Sequence, residues 1–184
     1  MNNLKYITDL YKLPHTGGLP KEIPQAGRAE LARLFAKLGF AKGAEVGVWQ
    51  GDFSQVLCLA NTDLSLFGID LNGKTPKKAV PANCKLVRMN SMAAANKFVD
   101  ASLDFVYLDS NHDFVNAVSD IAASAKKVRP GGIVAGHDYF RYRERAHNHT
   151  YEAITAYTGA YRITPWFVIG RAVDPVRSWF WVKA

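Results

Sequence analysis

The chain is poor in cysteine: Cys58 and Cys84 are its only two in 184 residues. They show no CxxC spacing, so the pair reads as two reduced thiols of a cytoplasmic protein. Long apolar runs are also missing. No stretch approaches the roughly 18 apolar residues of a spanning helix, and a membrane is not expected as a partner. The opening MNNLKYITDLYKLPHTGG has no continuous apolar core of the kind a secretion signal needs. There is no internal repeat and no low-complexity segment. Charge of one sign is not massed either. The net charge of +7 is spread along the chain, so it hints at an anionic partner without marking a nucleic-acid surface. Nucleic acid is accordingly not expected as a partner.

What remains is ordinary globular composition, 48% hydrophobic and 21% charged, on a length that suits one domain over residues 1–184. Residues 1–27 carry Pro14, Pro20, Pro24, Gly17, Gly18 and Gly27 and read as an irregular leader. With Tyr11 and His15, the leader is a candidate lid over a substrate or a source of homodimer contacts. Leu31, Leu34, Phe35 and Leu38 lie on one helical stripe that Gly39 ends. AEVGVW predicts a first strand and residues 53–60 a helix. LSLFGID, CKLVRM and SLDFVYLD predict three more strands. Phe114, Val118, Ile121, Ala125 and Val128 share a helical face that Pro130-Gly131-Gly132 ends, and GGIVAG predicts a fifth strand. A helix is expected over 150–158. ITPWFVIG and RSWFWVKA complete the sheet as a closing pair of strands, read as antiparallel. The alternation predicts an α/β, Rossmann-like three-layer sandwich, with a mostly parallel seven-stranded sheet and a C-terminal antiparallel strand.

Such sheets bind ligands at the carboxyl ends of their strands. Polar residues recur at those ends: Glu45, Gly47 and Gly51 after the first, Asp70 and Leu71 after the second, Asn90 and Ser91 after the third. Asp109 and His112 follow the fourth, and His137, Asp138 and Tyr139 the fifth. The dinucleotide fingerprint GxGxxG is absent, since the turn after the first strand is Gly47-Val48-Trp49-Gln50-Gly51. Glu45 sits within an apolar strand, where an unpaired carboxylate is costly; a bound ammonium group would offset that cost. Asp70 can accept two hydroxyls. Asp109 and Asp138, at neighbouring strand ends, suit a hard cation such as magnesium. His112 is a candidate general base. Arg141, Arg143 and Arg145, interleaved with Tyr139, Phe140 and Tyr142, would suit a sugar, nucleotide or phosphate-bearing acceptor, or a solvated loop.

The pattern E-x-G-x-x-x-G at 45–51 resembles motif I of the class I S-adenosylmethionine (SAM)-dependent methyltransferases. The block DFVYLDSNHDFVNAVSDIAASAKKVRPGGIVAGHDY resembles the family's motifs around its fourth and fifth strands, and looks like small bacterial macrocin-type sugar O-methyltransferases. The likeness covers roughly residues 28 to 140. It implies SAM as cofactor, bound by Glu45, Gly47, Gly51, Asp70, Leu71, Asn90, Ser91 and Asp109. It implies catalysis by His112 and Asp109, and a metal, magnesium, on Asp109 and Asp138. The acceptor would be a small molecule, a sugar or another hydroxyl compound. Catechol-type members carry Asp-Asn after the fifth strand, whereas this chain has His137-Asp138. Two alternatives stand beside this reading: an NAD(P)-dependent oxidoreductase, and a non-catalytic SAM- or nucleotide-binding protein.

Overall fold

A computed structural model of the chain describes residues 2–14, 18–71, 80–141 and 148–184. Among them are strands β1 (Lys21–Ile23), β2 (Lys42–Val46), β3 (Ser65–Asp70), β4 (Cys84–Arg88), β5 (Leu103–Leu108), β6 (Val128–Gly136), β7 (Phe167–Ile169) and β8 (Ser178–Val182). The helices are α1 (Asn3–Leu10), α2 (Arg28–Lys37), α3 (Asp52–Ala60), α4 (Ser91–Ala95), α5 (Phe114–Lys127) and α6 (Thr150–Ala160). The strands form one eight-stranded sheet in the order β1-β7-β8-β6-β5-β2-β3-β4. It is parallel except where β8 runs antiparallel to β6 and β7. The Rossmann-like architecture read from the sequence is the one observed.

Alternation along β5 shows how the layers arise. Phe105 and Tyr107 point into the core shared with Leu31, Leu34 and Phe35 of α2 and Phe53 and Leu57 of α3. Val106 and Leu108 point into the opposite core, with Ala117 and Ile121 of α5 and Ile154 of α6. A strand buried on both faces must be apolar where both faces are covered, which is why FVYL at 105–108 reads as an unbroken run.

The structure departs from the sequence reading in several places. The sheet has eight strands rather than seven, because Lys21–Ile23 pairs in parallel with β7; three residues between prolines are too short to show a period. The leader is not irregular throughout, since it also holds α1. The Asn3 side-chain amide donates to the Gly131 carbonyl at 2.7 Å, which docks α1 near the start of β6 and away from the carboxyl edge; His15 lies outside the described residues. Strand β2 begins at Lys42 and ends at Val46, so Gly47-Val48-Trp49 belongs to the turn. Pro130-Gly131-Gly132 lies inside β6, in a register shift where Leu103 pairs with Val128 and Phe105 with Ile133. A bulge there accommodates the proline that a regular ladder would not. In addition, the buried face of α5 is turned toward Ala117, Ile121, Ser124 and Ala125, leaving Phe114 exposed. Small side chains let that helix lie close to the sheet.

Candidate active site

The carboxyl edge of the sheet is held level by backbone bonds between strand ends. Gly47 N–H donates to Ile69 O at 2.8 Å, Asp109 N–H to Val46 O at 2.8 Å, and His137 N–H to Leu108 O at 3.0 Å. A cavity of about 640 Å³ opens above this edge. Glu45, Gly47, Asp70, Leu71, Asn90, Ser91, Asp109 and His112 all line it. Gly51 does not; it is the N-cap of α3 at φ 81°, and shapes the turn from behind.

The glycine turn is tied to the next strand. Asp70 Oδ2 accepts from the Val48 and Trp49 amides at 3.1 and 2.9 Å. Gly47 has φ 94°, and a Cβ there would collide with the carbonyl of Asp109. Both the torsion and the close approach demand glycine. Gly47→Ala should therefore cost at least about 1–3 kcal/mol and lower the thermal midpoint of the ligand-free protein by several degrees. An unshifted midpoint would show that the turn tolerates a side chain.

Glu45 is 2% exposed. The Ser54 hydroxyl donates to its carboxylate, yet burial pushes its pKa up to about 8, with Cys84 and Asp109 adding to the rise and Ser54 and Arg28 opposing it. Glu45 is thus held neutral at pH 7. Arg28, from the start of α2, lines the same cavity and lies 5.7 Å over the Phe53 ring.

Asn90 caps α4, its side chain accepting from the Met92 and Ala93 amides. The Ser91 hydroxyl donates to Asp120 Oδ1 and the Ser110 hydroxyl to Asp120 Oδ2, each at 2.6 Å. Asp120 is 5% exposed and joins the loop after β5 to the start of α4.

His112 stands between two acids. Its Nε2 contacts Asp138 and lies 3.7 Å from Asp109 Oδ1. The carboxylate of Asp109, then that of Asp138, lifts its pKa to about 9. At neutral pH this imidazole is therefore protonated, whereas the unperturbed value suggested by sequence would leave it mostly neutral. Its carbonyl accepts from His149 N–H at 2.8 Å, which pins the loop. His137 Nδ1 lies 3.5 Å from both Asp109 Oδ2 and Asp138 Oδ1, and burial lowers its pKa. Asp138 itself has φ 58°, a left-handed torsion that aims its carboxylate at this cluster. Asp109, His137 and Asp138 each offer a ligand atom, all within 4.8 Å of one another.

Of the loop at 139–149, Tyr139 and Phe140 are buried. Arg141 lies 5.4 Å over the Tyr151 ring and Arg177 lies 5.2 Å over Tyr139. Tyr142, Arg143 and Arg145 fall outside the described residues. Arg28, Ser110 and Asp120 are polar residues of the site to which the sequence assigned no role. His137 was noted at its strand end but not as a ligand.

Fold and cavity define a Rossmann-like α/β protein with its cleft at the strands' carboxyl edge. A family model described as a methyltransferase domain matches residues 44–139, more than half the chain, and the chain belongs to that family. It thereby falls in the SAM-dependent methyltransferase class that its motifs resemble, and the oxidoreductase alternative is not favoured; the match does not extend to the macrocin-type branch. Among solved structures the chain is similar to TomG, an O-methyltransferase of Streptomyces achromogenes involved in tomaymycin synthesis and solved with SAM. Identity is 15%, TM-score 0.65, and coverage 100% of this chain and 91% of that one. It is also similar to an O-methyltransferase of Bacillus cereus solved with S-adenosylhomocysteine (SAH), at 14% identity, TM-score 0.61 and the same coverage of 100% and 91%. Cofactor-bound Rv0187 from MTB gives 14% identity and TM-score 0.64, covering 97% of this chain and 87% of that one. At these identities the likeness is one of fold. No curated protein matches the chain in sequence. No described helix is long and apolar enough to cross a membrane.

Proposed function

We propose that this chain transfers the methyl group of SAM to a hydroxyl oxygen of a small polar acceptor. The observation that carries the reading is the cavity that gathers Glu45, Gly47, Asp70, Asn90, Ser91, Asp109 and His112 from four strand ends. Glu45, which ionises as an ammonium arrives beside it, and Arg28 would face the ammonium and carboxylate of the methionine moiety. Asp70, fixed by two amides, is placed to accept ribose hydroxyls. The turn at Gly47 lets backbone approach the cofactor. Leu71, Asn90 and Ser91 complete the nucleoside wall. In the transfer a new O–CH₃ bond forms as the S–CH₃ bond breaks, leaving SAH, and the hydroxyl proton passes to His112 once an acceptor or cation engages Asp109 and Asp138 and frees the imidazole lone pair. In-line placement and exclusion of water supply most of the acceleration. Free thiols at Cys58 and Cys84 support a reducing, cytoplasmic setting.

A divalent cation is the finer part of the reading. The donor set at Asp109, His137 and Asp138 fits one: two carboxylates suit magnesium or manganese, and a neutral imidazole extends the range to softer metals. His137, which the sequence did not single out as a ligand, would be the third. When bound, such a cation would acidify an acceptor hydroxyl.

The test is thermal unfolding with SAM, SAH, NAD and NADP, each with and without magnesium or manganese. SAM and SAH at about 100 times their dissociation constants should each add about 2.7 kcal/mol, and the dinucleotides nothing. Protection by NAD(P) alone would overturn the reading. A midpoint unmoved by either metal, with and without SAH, would remove the cation and leave the transfer to His112.

A further inference from the structure

Asp120 is an acid in the middle of a helix, buried, and far in sequence from the motif-I turn. Both of its oxygens are used by serines of the cavity wall, Ser91 on one side and Ser110 on the other, at 2.6 Å each. All three residues line the cavity. An ionised carboxylate has no proton to give, so each serine must spend its single hydroxyl proton on Asp120. What each serine then turns toward the cavity is a lone pair. Left alone, a hydroxyl can rotate and serve as donor or acceptor; here both are fixed as acceptors.

We propose that Asp120 is a positioning residue that sets cofactor specificity, holding Ser91 and Ser110 as hydrogen-bond acceptors so that the cavity selects a 6-aminopurine over a 6-oxopurine nucleoside. The proposal rests on the SAM reading above. The exocyclic amine of adenine is a donor and meets an acceptor pair. The 6-oxo group of hypoxanthine is an acceptor and would face two lone pairs, unpaired and partly desolvated. Ser91 lies at the end of β4, beyond Asp70 in the strand order β2-β3-β4, and Ser110 reaches the same carboxylate from the loop after β5.

The experiment compares binding of SAH and its 6-oxo analogue, S-inosylhomocysteine, by calorimetry. Three proteins are used: the parent, Asp120→Asn and Ser110→Ala. The parent should prefer SAH by about 10–100-fold, the range for one buried hydrogen bond left unmade. In Asp120→Asn the new amide would keep the shape of the carboxylate but offer one acceptor and one donor. The serine facing its NH₂ group is then free to donate into the cavity. The preference for SAH should fall at least about tenfold, with the inosyl compound binding no more weakly than to the parent. Ser110→Ala should lose affinity for SAH while changing the inosyl compound little. A purely structural Asp120 would weaken both ligands equally in the asparagine variant, and an unchanged ratio overturns the proposal. A parent that binds neither nucleoside thioether overturns the SAM reading itself, and the proposal with it.

Discussion

Replacing His112 with alanine should lower methyl transfer by about 10²–10⁴-fold, the usual contribution of a positioned base, while leaving the affinity for SAM unchanged. The separation follows from geometry. His112 contacts Asp138 and approaches Asp109, whereas Glu45, Asp70 and Ser91, assigned to the cofactor, stand at the ends of β2, β3 and β4. The imidazole is not ready to act in the ligand-free protein. Asp109 and Asp138 hold it protonated up to about pH 9, so it offers a proton where a base needs a lone pair. It becomes a base when its acids are engaged by something else, an acceptor or a cation. Until then the imidazolium neutralises two carboxylates that would otherwise repel across one cavity. His112→Gln separates the roles, since glutamine can hydrogen-bond to the acids but cannot take a proton; its turnover should be as low as that of the alanine variant. Single-turnover rates on a known acceptor, beside SAM affinities by calorimetry, read both quantities. Parent-like turnover in either variant would leave His112 a structural pin for the loop that His149 grips.

How much of this could be read from the residues varies with how local the cause is. The motif-I turn was legible because glycine at 47 answers a local demand, a positive φ beside a neighbouring carbonyl. The helix from Phe114 was legible because its apolar repeat is local, and Asp113 beside it caps the Val115 and Asn116 amides. Strand β1 was not, since Lys21–Ile23 is a strand only by virtue of β7, which lies far along the chain. Asp120 was hidden for a similar reason. One acid in the helix FVNAVSDIAASAKK looks solvated, and only the arrival of Ser91 and Ser110 from two other loops gives it partners. Arg28 likewise passes for the first residue of an amphipathic helix until the fold turns it to the cavity. The state of His112 was only half readable: Asp109, three residues before it, is the larger cause of its raised pKa, but Asp138 arrives from beyond β6.

The stability of the ligand-free protein should fall as pH rises from about 4.5 to 8, and Glu45→Gln should remove the share of that slope that Glu45 contributes, leaving the share of His112 above about pH 6.5. Glu45 has an ordinary value of 4.5 when the chain is unfolded and about 8 in the fold, chiefly because burial disfavours its charge. Between those values the folded protein keeps a proton that the unfolded chain has released. A proton-binding preference of the folded state stabilises it most fully below pH 4.5, and the advantage is lost as pH climbs through 8. At about 1.36 kcal/mol per unit, the whole effect is at most about 5 kcal/mol. Glutamine keeps the shape, can still meet the Ser54 hydroxyl and does not titrate. Urea unfolding of both proteins from pH 5 to pH 8.5 should show the glutamine variant gaining on the parent and levelling above pH 8. Parallel curves would mean that Glu45 is charged throughout and has a cation that satisfies it within the protein. The same proton ties stability to the cofactor. An ammonium group arriving beside Glu45 favours the carboxylate, so SAM binding at pH 7 should release protons from the parent and fewer from the variant. Binding enthalpies in buffers of different ionisation heat measure that number directly. No difference between parent and variant would remove Glu45 from contact with the methionine end of the ligand.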